Sequence, residues 1–70
     1  MWTKGTINGF EFLIKHFDEG SVFGIDGGKI SKLGIAKNGK AYACYDRGWD
    51  KRPTDAEAVA VYNELIKKYN

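Results

Sequence analysis

The sequence predicts an α+β domain, in which an antiparallel β-meander of about five short strands packs one C-terminal helix on one face. Two Asn-Gly dipeptides, Asn8-Gly9 and Asn38-Gly39, are the first evidence, because both residues of a type I′ hairpin turn need positive φ. The second is the segment after residue 53, which lacks glycine and carries apolar residues at helical spacing. A chain of 70 residues suffices for a single domain, residues 1–70, with a small core.

Tight turns divide the first two-thirds of the chain into strands. Besides the two Asn-Gly turns, we expect turns at Asp18–Ser21 and Asp26–Gly28, where aspartate and glycine cluster between apolar runs. Consecutive strands joined by such short turns form a meander. The predicted strands are residues 2–7, 10–17, 21–25, 29–37 and 40–47.

The two-residue loop of the first hairpin fixes its register. It pairs Gly5 with Phe12, so the phenyl ring covers the bare glycine backbone, which stabilises glycine in a strand. One side of this hairpin is then apolar. Its members are Ile7, Phe10, Phe12 and Ile14.

The same rule, applied to the Asn38-Gly39 loop, predicts the faces of the second hairpin. Cys44 falls on the side of Leu33 and is expected to be a small buried hydrophobic residue. Tyr45 points to the opposite side. The predicted pairs are Ile35–Tyr42, Leu33–Cys44 and Lys32–Tyr45.

Residues 54–69 are predicted to form the helix. Thr54 and Glu57 make a capping box directly after Pro53. A helix of about 15 residues is marginal alone in water, so its apolar stripe must pack on the sheet. The stripe consists of Ala58, Val61, Tyr62, Leu65, Ile66 and Tyr69.

The charge pattern is weak evidence for nucleic-acid binding. The net charge is only +2, although Lys29, Lys32, Lys37 and Lys40 lie in a stretch without acidic residues. Lysines along an exposed edge strand also protect a sheet against aggregation, and that interpretation is favoured for this basic hairpin.

The single cysteine, Cys44, excludes an internal disulfide framework and fits a reducing compartment, so we expect a cytoplasmic protein. The longest apolar run falls well short of the ~20 residues that span a bilayer. The first residues also lack the basic and apolar regions of a signal peptide. No membrane partner is expected.

No set of residues makes a credible catalytic or metal site. Cys44 and His16 form a nucleophile–base pair only if their strands are neighbours, and one histidine with one cysteine cannot complete a zinc site. Gly28-Lys29 resembles a phosphate-binding loop, but Ile30 stands where that loop needs serine or threonine. We therefore expect a non-enzymatic protein without metal or cofactor.

The segment "YDRGWD" is the densest in chemistry. The favoured interpretation is a corner between sheet and helix, in which Trp49 folds over the seam and Arg47 bridges to Asp46 or Asp50. Alternatively Tyr45, Arg47, Trp49 and Asp50 form a contact patch, since such residue types dominate binding hot spots. A small enzyme that uses Asp46, Asp50 and Arg47 is the least favoured alternative.

Three segments, "KHFDEGSVFGIDGGKISKL", "YDRGWD" and "KKYN", resemble a family of small uncharacterised bacterial proteins. The likeness covers about Lys15 to Asn70. The resemblance implies a domain of unknown function from Gram-positive bacteria, often encoded on phage or conjugative elements. It implies no assigned activity and supplies no catalytic residue. Its motifs map onto Asp18–Ser21, Gly24–Ser31 and Tyr45–Asp50.

Two functional hypotheses follow. In the first, the chain is a non-enzymatic accessory module that binds a protein partner or itself, through the exposed sheet face and the Arg47–Asp50 corner. In the second, the Lys29–Lys40 hairpin binds single-stranded nucleic acid weakly, beside rings such as Tyr45 and Trp2.

Overall fold

The computed structural model describes all 70 residues and confirms the predicted fold class, a five-stranded antiparallel meander with one C-terminal helix. Neighbouring strands in the sheet are consecutive in sequence, in the order β1-β2-β3-β4-β5. A short 3₁₀ helix, Ile25–Gly27, interrupts the connection between β2 and β3. The elements are β1 (Trp2–Ile7), β2 (Phe10–His16), β3 (Ile30–Lys37), β4 (Lys40–Asp46), β5 (Trp49–Lys51) and α1 (Ala56–Tyr69).

The first hairpin has the predicted register. Asn8 and Gly9 both have positive φ, 52° and 83°, and Gly5 pairs with Phe12. A Cβ atom placed on Gly5 would lie 3.2 Å from the Phe12 ring, so the phenyl group does cover the glycine backbone. The prediction for this hairpin is confirmed.

The predicted register of the second hairpin is wrong because of a β-bulge. Ala36 pairs with Ala41, but Ile35 pairs with Ala43, so Tyr42 is an extra residue in β4. An extra residue moves every side chain beyond it to the other face of the sheet. The observed pairs beyond the bulge are Gly34–Cys44, Leu33–Tyr45 and Lys32–Asp46.

The predicted strand over residues 21–25 is also wrong. Residues 17–29, the β2–β3 loop, contain no strand, and Ile25 is fully buried within the 3₁₀ turn. Gly24 comes so close to Gly28 that a Cβ atom would collide with its carbonyl oxygen. Such crowding suits a compact loop. The fifth strand is instead β5, Trp49–Lys51, which the sequence did not predict.

One face of the sheet packs against α1. The helix buries Ala58, Val61 and Leu65, and the predicted apolar stripe is confirmed, since Tyr62, Ile66 and Tyr69 pack against the same core. Asp55 rather than Thr54 caps the helix, its carboxylate accepting a hydrogen bond from the Glu57 amide at 3.1 Å. The helix therefore begins at Ala56, two residues later than predicted. The sheet contributes Phe10, Phe12, Ile14, Ile30, Leu33, Ile35, Ala43 and Tyr45 to this core.

The opposite face of the sheet is covered by no element of the chain. A row of register partners runs across it from Lys4 through Leu13 and Gly34 to Cys44. We call this surface the open face. Its central residues are Leu13, Gly34, Ala36, Ala41 and Cys44.

Candidate functional site

The predicted patch of Tyr45, Arg47, Trp49 and Asp50 is divided between different surfaces. Tyr45 is only 7% exposed and belongs to the core, so the expectation that it shares a free surface with Arg47 is wrong. Trp49 is half-buried on the helix side, whereas Arg47 and Asp50 are exposed. The bulge at Tyr42 is the physical reason, because it reverses the faces that Cys44 and Tyr45 occupy.

Trp49 lies over the seam between sheet and helix, as predicted. Its ring contacts Tyr45 edge-on at 5.0 Å between centroids and Tyr62 at 5.5 Å. The Arg52 guanidinium lies 5.0 Å from the centre of the indole ring. This aromatic stack joins β4, β5 and α1, which gives Trp49 a structural role.

Arg47 stands at the tip of the β4–β5 turn. Its φ is 56°, an unusual value for a residue with a side chain, and its amide donates to the Ser31 carbonyl at 3.0 Å. The Nε atom lies 3.8 Å from Asp46 Oδ1, so the predicted Arg47–Asp46 bridge is present. Lys32 Nζ lies 3.8 Å from the same oxygen. One carboxylate therefore holds two cations side by side.

The four lysines of the second hairpin do not form one surface. Lys37 Nζ lies 4.9 Å from the Phe10 ring centre and Lys40 Nζ lies 5.1 Å from that of Tyr42, both near the turn. Lys32 is five residues along β3, roughly 16 Å away at the usual rise of a strand. Lys29 precedes that strand.

The structure instead brings together a group of residues that the sequence does not predict to be neighbours. Lys15 pairs with Lys32 across β2 and β3, and Arg47 follows Asp46, the next partner in that row. Beside them lie the exposed rings of Phe17 and Phe23 in the β2–β3 loop. These groups enclose a depression of about 340 Å³, which we call the cationic cleft. It is lined by Lys15, Phe17, Ser21, Phe23, Ser31, Lys32 and Arg47.

One sequence signal for this cleft exists. Phe17 and Phe23 lie on either side of the polar segment Asp18–Ser21. This part of the chain shows neither helical nor strand periodicity, so the sequence gives no reason to expect that the two rings are buried. The missing information is the pairing of β2 with β3, because only that pairing places Lys15 next to Lys32.

A second depression, of about 350 Å³, lies on the open face. Leu13 is 46% exposed at its centre, and small side chains surround it. Along β2, Glu11 and Lys15 occupy the positions two residues before and after Leu13, on the same face. Glu11 has no ion pair within the chain.

Cys44 lies on the open face and is partly exposed, so its predicted burial is wrong. Its Sγ atom is 3.9 Å from Asp50 Oδ2. His16 is on β2, where its Nε2 lies 2.9 Å from Thr3 Oγ1. Because β3 separates β2 from β4, Cys44 and His16 do not form a dyad.

Tyr62 is the titratable group with a clearly shifted pKa. Burial raises the pKa of its phenol, and the nearby Asp26 carboxylate raises it further, while Arg52 acts in the opposite direction. Its surroundings thus favour the neutral form of the phenol.

The helix α1 has 14 residues, and no helix in the structure has the length and apolar character needed to cross a membrane. No group of three or more His, Cys, Asp or Glu side chains is placed to hold a metal ion.

Comparison with known proteins identifies a family and no characterised relative. No curated protein matches the chain. No solved structure matches it either. A family model matches residues 1–70, the whole sequence, which agrees with the resemblance to an uncharacterised domain. The chain belongs to the family described as Domain of unknown function (DUF7678).

Proposed function

We propose that the protein is a non-enzymatic interaction module that associates with a second copy of itself through the open face. The observation that carries this proposal is Leu13, an exposed apolar side chain at the centre of a sheet face that no element covers. An exposed apolar patch on an uncovered sheet face is the kind of surface that packs against another protein layer.

The charge pattern along β2 favours a second copy as the covering layer. Opposite charges, Glu11 and Lys15, flank Leu13 symmetrically. When two copies stack with their β2 strands antiparallel, Leu13 packs on Leu13 at the two-fold axis. Glu11 of each copy then lies beside Lys15 of the other, as an isologous interface requires.

A dimer with an interface of ordinary size would use a large share of the surface of this small chain. An ordinary specific interface buries about 800 Å² per partner, which is roughly one sixth of the 4577 Å² accessible surface. The small residues Gly34, Ala36 and Ala41 permit close approach of the second sheet.

The test is the mass of the protein in solution, measured by analytical ultracentrifugation over a range of concentrations. The wild-type chain should form dimers, and Leu13→Asp should weaken the dimer at least about tenfold, because each copy loses a buried leucine. Val22→Asp is the matched control, since Val22 is 90% exposed and lies outside the open face.

A charge exchange tests the orientation. Glu11→Lys alone should weaken the dimer through repulsion of Lys15, and the double change Glu11→Lys with Lys15→Glu should restore it. A wild-type chain that stays monomeric at every concentration would overturn self-association. The open face would then be assigned to a different protein partner.

The cellular setting is part of the same proposal. We infer an accessory protein of Gram-positive bacteria, encoded on phage or conjugative elements, from the resemblance of the "DEGS", "GIDGGKIS" and "YDRGWD" segments. A cytoplasmic location is supported by Cys44, a partly exposed free thiol of the kind that persists in reducing compartments. Fractionation of a native host would test the location, and the genes that flank this one would test the mobile-element origin.

A further inference from the structure

The cationic cleft lies outside the fold's core and shares only Lys15 with the proposed contact centred on Leu13. We propose that it binds a nucleotide unit, with the phosphate held by Lys32 and Arg47 and the base stacked on Phe23. The unit is either a free nucleotide or one residue of a single-stranded nucleic acid, since both present the same chemistry.

The charge of the cleft suits a phosphate. Three cationic side chains, Lys15, Lys32 and Arg47, converge there, and Asp46 is the one carboxylate in contact with them. The four groups together carry a net charge of about +2. Arginine and lysine are the side chains that bind phosphate oxygens best.

These cations are positioned by the backbone. Lys15 and Lys32 are direct cross-strand partners. The Ser31 carbonyl accepts the Arg47 amide at 3.0 Å, and the Ser31 hydroxyl donates to the Lys15 carbonyl at 3.4 Å. Ser31 is buried, and its two hydrogen bonds link the segments that carry Lys15, Lys32 and Arg47. A ligand would meet donors that are already assembled, which lowers the entropic cost of binding.

The two phenyl rings are exposed without being on a loose segment. Phe17 and Phe23 are 47% and 55% exposed. The Phe17 amide donates to the Lys29 carbonyl at 3.0 Å, and the Phe23 carbonyl accepts the Tyr45 hydroxyl at 2.9 Å. Rings presented by a fixed backbone next to cations form a stacking platform for bases.

Phe23 is the ring available for stacking. Lys15 Nζ already lies 5.6 Å from the Phe17 ring centre and 5.7 Å from that of Trp2. No cation lies over Phe23. The cleft volume, about 340 Å³, is at the small end of ligand sites and fits one nucleotide unit rather than a duplex.

Asp46 competes with the proposed ligand. Its carboxylate oxygen lies 3.8 Å from both Lys32 and Arg47, where a phosphate oxygen would bind. Removal of this charge should therefore strengthen binding. A purely structural ion-pair network gives the opposite expectation, because its loss would disorder the two cations.

The experiment measures fluorescence anisotropy of a labelled single-stranded DNA of about 12 nucleotides, starting at about 20 mM salt. The double variant Lys32→Gln with Arg47→Asn should bind at least about tenfold more weakly. Its log–log salt slope should be shallower by about 1.4, since each lost phosphate contact contributes about 0.7. Asparagine tolerates the positive φ of residue 47, so the turn is preserved.

The matched control is Lys37→Gln with Lys40→Gln, which removes the same charge from the other end of the second hairpin. Binding by this control should be nearly unchanged. An equal loss of DNA affinity in both double variants would mean that the net charge of the chain attracts DNA diffusely. It would overturn the proposal that the cleft is the binding site.

Two single variants test the chemistry further. Asp46→Asn should tighten binding about threefold or more, by removal of the competing charge. Phe23→Ala should weaken DNA binding at least about fivefold while leaving inorganic polyphosphate binding unchanged, because only bases stack. If Phe23→Ala weakens the binding of DNA and of polyphosphate equally, Phe23 does not stack on a base. If the wild-type chain binds an acidic peptide more tightly than DNA, the ligand is not a nucleotide.

Chemical shifts in ¹H–¹⁵N spectra distinguish the two sources of the unit. Shifts at Ser31, Lys32 and Arg47 with adenosine monophosphate alone identify a free nucleotide, and shifts with DNA only identify a strand. The same spectra confirm that each variant is folded. Leu13→Ser should weaken the dimer without placing a carboxylate near Lys15, and it should bind DNA at least as tightly as the wild type does, which separates this proposal from self-association. No binding of either ligand at low salt would overturn it.

Discussion

The hydroxyl of Tyr45 donates a hydrogen bond to the carbonyl oxygen of Phe23 at 2.9 Å. This bond joins the centre of the sheet to the long β2–β3 loop, which carries the exposed rings of the cationic cleft. It exists because the bulge at Tyr42 turns Tyr45 into the core, where its phenol needs a buried partner.

Removal of this hydrogen bond should loosen the loop. Tyr45→Phe keeps the ring contact with Trp49 but leaves the Phe23 carbonyl without its partner, which should lower the free energy of unfolding by about 1 kcal/mol. Urea unfolding measures this loss, and hydrogen exchange should accelerate at the Gly24 and Gly28 amides. Tyr42→Phe is the control, because its hydroxyl makes no hydrogen bond within the chain. An unchanged exchange rate in Tyr45→Phe would contradict the role of the bond.

Asn70 fastens the same loop from the end of α1. Its side-chain oxygen accepts the Ile30 amide at 2.9 Å, and its amide nitrogen donates to the Ile25 carbonyl at 3.2 Å. Asn70→Ala should destabilise the fold by about 1–3 kcal/mol, since two partly buried bonds are lost. Asn70→Asp retains the acceptor and should fall between wild type and Asn70→Ala. Thermal unfolding of the three proteins checks this order, and equal midpoints would refute it.

Two glycine-to-alanine changes should differ sharply. Gly24 has an ordinary φ of −75°, but an added Cβ atom would collide with the Gly28 carbonyl, so Gly24→Ala should cost about 2 kcal/mol or more. Gly48 has open space around it and no positive φ, so Gly48→Ala should be neutral or stabilising by up to about 1 kcal/mol. Denaturant midpoints measure both. Similar losses in the two variants would argue against the observed packing of the loop.

The raised pKa of Tyr62 predicts a pH dependence of stability. Burial, with the Asp26 charge second, favours the neutral phenol in the folded state, so the folded chain holds this proton at pH values where the unfolded chain releases it. The stabilising contribution is complete below about pH 10 and is lost as the pH rises through the folded pKa. Tyr62→Phe should therefore lose less stability than wild type between about pH 9 and 11. Urea unfolding at each pH measures the difference, and parallel curves would contradict it.

Much of the fold was determined by local sequence signals. The Asn8-Gly9 and Asn38-Gly39 turns place two hairpins, because positive φ is costly for most other residues. The helical stripe from Ala58 to Tyr69 determined which helix face packs on the sheet, because apolar spacing sets the buried side. The pairing of Gly5 with Phe12 also follows from the sequence, because a two-residue loop fixes the register of the hairpin.

Three features were decided only by the tertiary structure. The extra residue at Tyr42 exchanged the faces of Cys44 and Tyr45, and no local signal marks it, because a bulge is selected by the packing of the whole sheet. The loop around Ile25 is compact rather than a strand, since its partners, Tyr45 and Asn70, are distant in sequence. The cationic cleft likewise depends on strand pairing that brings Lys15, Lys32 and Arg47 together. Turn chemistry and periodicity act within a few residues, whereas the contacts of the loop and of the cleft span 14 to 45 positions, and only the folded sheet brings such residues together.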